Sequence, residues 1–278
     1  MNMILWDMDG VIYEGRGTTH LAKGSEEDPE KFIERFKKEC GMEGPLGDID
    51  PKKFEYALSQ WEKDHREIKT LGDLGEALTD LRHEYGIFTS KHTKHTKNAL
   101  LRGITLSQLN QIMDGVERMC GFESATNGFK RNGKKQMILS NASHPITVYF
   151  KEKYGMSYAF GLPVFVIKDG QEVLYTEEMY GDPKIQLAGR AKDGFNKLEH
   201  LKGLVYKEIV NPKEIAAIDD DSVEILDYVQ RNGGLALGFN VKYEKRFQEF
   251  GIPIINENNL EIFYEIVMNP NDVWKYCR

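Results

Sequence analysis

The spacing of apolar residues changes twice along this chain. It opens on a short apolar run, Met3 to Trp6, which breaks at Asp7, Asp9 and Gly10. That is the pattern of a buried strand with a polar loop at its carboxyl end. From about residue 15 to residue 133 the chain is rich in Lys and Glu, with apolar residues at helical spacing: Phe32 and Phe36; Phe54, Leu58 and Trp61; Leu74, Leu78 and Leu81. This middle region is predicted to be largely helical. After Gly133, strand-length apolar runs alternate with amphipathic stretches. Strands are predicted at 136–141, 214–221, 234–240 and 252–256, and helices at 147–154, 195–201 and 223–231. The stretch 162–178 holds two β-rich runs joined by Asp169-Gly170, a dipeptide that supplies the positive φ of a tight hairpin. Strands alternating with helices imply a parallel sheet covered on both faces, an α/β fold.

Composition narrows the setting. With 278 residues, 40% hydrophobic and 29% charged, this is an ordinary folded protein, long enough for one large domain or two. A net charge of −7 and a pI near 5.6 give no global field for nucleic acid or an anionic membrane, so neither is expected as a partner. A local basic patch could still hold an anionic substrate. Cys40, Cys120 and Cys277 are odd in number and far apart, without zinc or disulfide spacing, which suits a reducing, cytoplasmic location. No stretch approaches the roughly 18 apolar residues of a membrane span, and the N-terminal run breaks before signal-peptide length; no membrane insertion or export is expected.

The candidate chemistry lies at the carboxyl ends of the predicted strands, where open α/β sheets place their ligands. Asp7 and Asp9 follow the first strand, Ser140 and Asn141 the second, and Asp219, Asp220 and Asp221 the run AAI. Lys192 lies between the last two groups, with Lys197 as its alternative. Two carboxylate clusters side by side form a hard, oxygen-rich site suited to Mg²⁺, and Lys and Ser beside it would hold a phosphate.

Together, ILWDMDGVIY (4–13), MILSN (137–141), Lys192 within RAKDGFNKLEHL (190–201) and AAIDDDSVEIL (216–226) resemble the four motifs of the haloacid dehalogenase superfamily, mostly phosphohydrolases. Residues 133–267, with the hairpin and GGLALGFNVKYEKR (233–246), are similar to its phosphoserine phosphatase branch, and 98–113 resembles the end of that branch's helical cap. The resemblance implies a Rossmann-like three-layer core with a parallel sheet, built from residues 1–15 and 134–268. A helical cap would be inserted at 16–133, longer than the phosphoserine phosphatase cap, and 269–278 would form a C-terminal extension.

The resemblance also implies roles. Asp7 would be the nucleophile, forming an aspartyl-phosphate, and Asp9 the general acid and base. Ser140, Asn141 and Lys192 would bind phosphate. Mg²⁺ would be held by Asp7, the Asp9 carbonyl and Asp220, with Asp219 or Asp221 as alternatives and Glu224 in an outer position. The expected substrate is a small phosphorylated metabolite. Two departures argue against phosphoserine itself: Arg16 and Lys97 stand where that branch has a cap glutamate and a cap arginine. Asp219 also replaces the usual glycine of the fourth motif. A phosphotransferase with the same intermediate, or a binding protein without turnover, are the alternatives.

Three other stretches carry blander readings. SKHTKHTKN (90–98) places Lys91, Lys94 and Lys97 along one helix side and His92 with His95 along a neighbouring one, and is expected to be a solvated surface before a metal pair or an anion-binding face. SEEDPEKF (25–32) reads as a helix start, with Pro29 in its first turn. Trp274 and Tyr276 suggest that the tail packs against the protein or a partner.

Overall fold

The apolar run at the start becomes β1 (Met3–Trp6), with all four side chains buried. The computed structural model describes residues 1–24, 28–43, 46–241 and 243–278. Seven further strands follow among these residues: β2 (Lys135–Ser143), β3 (Tyr158–Leu162), β4 (Val164–Lys168), β5 (Gln171–Leu174), β6 (Gln186–Ala191), β7 (Ile215–Asp219) and β8 (Leu235–Gly238).

Five of them form a parallel sheet in the order β3-β2-β1-β7-β8, so β1 is central. A strand with sheet neighbours on both edges and helices over both faces has no solvent-facing side, hence the unbroken apolar run. Register aligns Trp6 with Ile138 of β2 and with Ile218 of β7, which brings the residues just beyond these strands to one edge of the sheet. β2 and β7 leave β1 in opposite directions, and this reversal is the topological switch point at which such sheets bind ligands.

Clustering of contacts divides the chain into two units. Met1–Arg16, Val116–Leu162 and Asp193–Arg278 form the first, which holds the parallel sheet. Its core joins Leu5, Met137, Leu139, Leu201, Ile215, Leu226 and Phe247. Trp6 meets Phe122, Phe129 and Phe263 edge-on at ring separations of 5.4, 6.0 and 5.1 Å. Its indole N–H donates to Gln136 Oε1 at 3.1 Å, and Gln136 Nε2 donates to the Thr126 carbonyl at 3.0 Å, so the polar end of the ring is satisfied inside the core.

Gly17–Gly115 and Pro163–Lys192 form the second unit. Its helices are Gly17–Lys23, Pro29–Glu39, Pro51–Asp64, Leu71–His83, Ser90–Ala99 and Leu106–Gly115. The stripe residues Phe32, Phe36, Phe54, Leu58, Trp61, Leu74, Leu78 and Leu81 are all buried in one core. Helix starts are set by capping: Asp28 and Asp50 accept from Glu30 N and Lys52 N ahead of a proline in the first turn, and Thr70 forms a reciprocal box with Asp73. Of the acidic stretch 25–32, Ser25, Glu26 and Glu27 lie outside the described residues.

The unit boundaries differ from those expected. Residues 116–133 join the sheet unit because the helix Phe122–Arg131 packs its Phe122 and Phe129 on Trp6. Residues 163–192 join the helical unit because β4, β5 and β6 form a separate antiparallel sheet in which β6 lies against the helix Ser90–Ala99. The hairpin turn does sit at Asp169-Gly170, with φ of 51° and 75°. Instead of a strand at 252–256 there are two isolated bridges, Gly238 to Ile254 and Ile255 to Cys277. The tail is fastened through its backbone, with Ile254 and Arg278 exchanging N–H···O bonds, while Trp274 is 81% exposed rather than packed.

Candidate active site

β1, β2 and β7 end side by side, and each delivers a polar side chain where its apolar run stops. Asp7 continues the ladder, its N–H donating to the Ile218 carbonyl at 3.1 Å. Asp7, Asp219 and Asp220, all buried, each offer a carboxylate oxygen within 4.8 Å of the others. Ser140, on β2, is buried, and its hydroxyl accepts from Ala142 N at 3.2 Å.

Lys197 is the cation among these carboxylates. Its Nζ donates to Asp219 Oδ2 at 2.9 Å and to the Ser222 hydroxyl at 2.8 Å, and stands 3.0 Å from Asp7 Oδ1. The contact with Asp7 is one of charge, since no donor is aligned on that buried oxygen. Of the two lysines that the sequence offered, Lys197 and not the exposed Lys192 is the one in contact with these carboxylates. The helix Lys197–Tyr206 explains the difference. Lys197 is its first residue, after the N-cap Asn196, and lies at i, i+4, i+7 spacing with the buried Leu201 and Leu204. A lysine on an apolar stripe is carried into the core, and there it needs carboxylates to remain charged. That stripe was the signal available in the sequence.

The three carboxylates differ electrostatically. Lys197 and the backbone N–H groups of Asp221 and Ser222, at 3.0 and 2.7 Å, hold the Asp219 pKa below the ordinary value against the opposing effect of burial. Burial raises Asp7 to about 7 and Asp220 to about 8, each assisted by the negative charge of its neighbours. Lys197 is held above the ordinary lysine range because the two aspartates outweigh its desolvation. Three acids around one cation leave the cluster short of positive charge. A hard divalent cation suits such a set on two observations: the buried Asp7 Oδ1 without a donor, and two carboxylates that burial disfavours as anions.

Gly10 holds the opposite wall. At φ of +81° it lies so close to Asp220 that a Cβ there would come within 2.4 Å of Asp220 Oδ2. Asn240 Nδ2 donates to the Gly10 carbonyl at 3.3 Å from the end of β8. Asp9 is half-buried and accepts the Tyr13 hydroxyl at Oδ1, 2.7 Å away.

Among the described residues the other acidic candidates are not part of this carboxylate group. Asn141 and Asp221 are exposed. Glu224 points to solvent in the first turn of the helix Val223–Arg231 and pairs with Arg246, so the geometry removes it from the carboxylate group. Arg16 is half-buried at the end of its segment of the sheet unit. In the helical unit the expected solvated face of Ser90–Ala99 is largely buried: His92, Thr93, Thr96, Lys97 and Asn98 are inside, and Lys91 is exposed. His92 and His95 each engage a separate carboxylate, Asp48 at 2.8 Å and Glu39 at 3.0 Å, instead of forming a metal pair.

Comparison with known proteins places these features. A family model described as haloacid dehalogenase-like hydrolase matches residues 1–226. A curated phosphoserine phosphatase of Archaeoglobus fulgidus is 26% identical over 174 residues, which is 62% of this chain and 46% of that protein, under half its length. Among solved structures, a HAD family hydrolase from Salmonella enterica serovar Typhi aligns with a TM-score of 0.64 at 17% identity, over 96% of this chain and 71% of the other. A substrate-bound phosphoserine phosphatase complex aligns at 0.58 and 15%, over 96% and 97%. At these identities the structures share the fold. No described helix is long and apolar enough to cross a membrane.

Proposed function

This chain belongs to the haloacid dehalogenase-like hydrolases, and from that premise we propose that it is a Mg²⁺-dependent phosphatase of small phosphomonoesters working through an aspartyl-phosphate on Asp7. The observation that carries the reading is the convergence of Asp7, Asp219, Asp220 and Lys197 at one sheet edge, with Ser140 on the neighbouring strand. Asp7, the Asp9 carbonyl and Asp220 would hold the cation. Bound there, Mg²⁺ supplies the positive charge that keeps Asp7 anionic and offsets its repulsion from an anionic phosphate.

The residues divide the chemistry. An Asp7 carboxylate oxygen forms a bond to phosphorus as the bond from phosphorus to the ester oxygen breaks, and Asp9 gives that oxygen its proton. Asp9 then takes a proton from water as the water oxygen attacks phosphorus. The bond from Asp7 to phosphorus breaks, releasing inorganic phosphate. Lys197 and Ser140 stabilise the transferring phosphoryl oxygens with a charge and a hydroxyl already in place. Lys197 also keeps Asp219 anionic.

For the substrate, Arg16 brings a positive charge where the resemblance to phosphoserine phosphatases would put an acidic side chain, and Lys97 keeps the charge of the arginine whose place it takes. The proposed leaving group is therefore neutral or anionic, not zwitterionic. Phosphate release from p-nitrophenyl phosphate, measured with and without Mg²⁺, tests the mechanism. Activity that needs Mg²⁺ and vanishes in Asp7→Asn is expected; unchanged activity in Asp7→Asn would overturn it. A panel of phosphorylated metabolites compared between wild type and Arg16→Ala or Lys97→Ala tests the substrate class, and identical preferences in all three would remove it.

A further inference from the structure

Tyr13 lies four residues beyond Asp9 on the loop after β1, fully buried. An aromatic ring could fill that space as phenylalanine; a buried hydroxyl costs free energy unless it is bonded. This hydroxyl donates to Asp9 Oδ1 at 2.7 Å. Building on the acid–base role proposed for Asp9, we propose that Tyr13 is the residue that positions that carboxyl: its donated hydrogen bond occupies Oδ1, fixes the carboxyl plane and directs the exchangeable proton to Oδ2.

The mount is rigid. Gly10 N donates to the Tyr13 carbonyl at 3.0 Å, closing the loop between the two residues, and Met119 N donates to the Ile12 carbonyl at 2.9 Å. Backbone bridges tie Tyr13 to Asp9 on one side and to Arg118 on the other. The ring lies 5.5 Å from that of Phe150, which also carries the Arg118 guanidinium 4.7 Å from its centroid. Arg118 in turn donates to the Tyr154 and Tyr149 hydroxyls at 3.0 and 3.3 Å.

A general acid matters in proportion to the need of its leaving group. An alkoxide requires a proton as it departs, whereas p-nitrophenolate leaves without one. kcat/KM reports the steps up to departure of that group, so it isolates the acid role from later attack by water. The test measures kcat/KM of wild type, Tyr13→Phe, Asp9→Asn and the double variant on p-nitrophenyl phosphate and on the alkyl phosphate the wild type turns over fastest. Tyr13→Phe is expected to lower kcat/KM about 10-fold or more on the alkyl ester and less than about 3-fold on the aryl ester. In the Asp9→Asn background it should add nothing, because the two residues act as one unit.

The outcomes separate two failures. If Asp9→Asn loses activity selectively on the alkyl ester and Tyr13→Phe does not, the positioning role is wrong and the acid–base assignment stands. If Asp9→Asn falls equally on both esters, the assignment of Asp9 itself is wrong. An equal loss on both esters in Tyr13→Phe, or additive losses in the double variant, would reduce Tyr13 to a packing residue.

Discussion

Asp220→Asn should make the metal-free protein more stable while abolishing its activity. At an effective dielectric of about 20, two unit charges within 4.8 Å of each other repel by about 3 kcal/mol or more. Lys197 is committed to Asp219 through a hydrogen bond and reaches Asp7 only as an unaligned charge, so repulsion between Asp7 and Asp220 is the least compensated in the cluster. Both are buried, so water screens them little. Asparagine keeps the size and removes the charge. Allowing for partial protonation of the pair, the expected gain is about 1–3 kcal/mol, or several degrees in Tm for a protein of this size. The assay is thermal unfolding of wild type and variant in chelator and across a Mg²⁺ series. In chelator the variant should melt higher. With Mg²⁺ the wild-type Tm should climb by mass action while the variant stays nearly flat, so the two curves cross. A variant that melts below wild type in chelator would show that the cluster is already balanced without a cation, and would refute the reasoning.

Three further outcomes follow from the geometry. Lys197→Met should cost about 3–5 kcal/mol by leaving Asp219 buried without its counter-charge, seen as a large loss of Tm, whereas Lys192→Ala should change Tm by under a degree or two. Gly10→Ala should remove Mg²⁺-dependent activity, because a Cβ at φ of +81° would drive into Asp220; a variant with wild-type kcat would show that this wall can move. Trp274→Ala should leave denaturant stability within about 0.5 kcal/mol, because the ring is exposed and the tail is held by backbone bonds.

Much of the sheet could be read from the chain because its signal is local. β1, β7 and β8 are short apolar runs that end in polar residues, and the helix Val223–Arg231 shows its period plainly. The carboxylate cluster was legible for the same reason, since Asp7, Asp219 and Asp220 stand where such runs stop. Lys197 was harder. Lys192 has the more loop-like setting expected of a functional residue, beside Asp193-Gly194, and what distinguishes Lys197 is a stripe shared with Leu201 and Leu204. β3 and β6 escaped because Gly161 and Gly189 interrupt their apolar runs. Gly161 is required by the backbone of Ala142 and His144, either of which would stand 2.8 Å from a Cβ. The face of Ser90–Ala99 reads as polar, yet His92 is buried and His95 half-buried, each against a carboxylate on a distant segment, Asp48 and Glu39, which no local pattern reveals. The engagement of Asp9 by Tyr13 is local in sequence, but it depends on a loop closure that apolar periodicity does not encode.

The pairing of β1 sets an order of assembly during synthesis. Met3 pairs with Lys135 on one side and with Ile215 on the other, so the N-terminal strand cannot gain both neighbours until residue 219 has left the ribosome. The first helix of 17–115, Gly17–Lys23, likewise waits for the helix Leu71–His83 on which it packs. Until β2 and β7 follow, β1 is an apolar tetrapeptide with two open edges. Asp7 is thus synthesised well before the strand β7 that supplies Asp219 beside it.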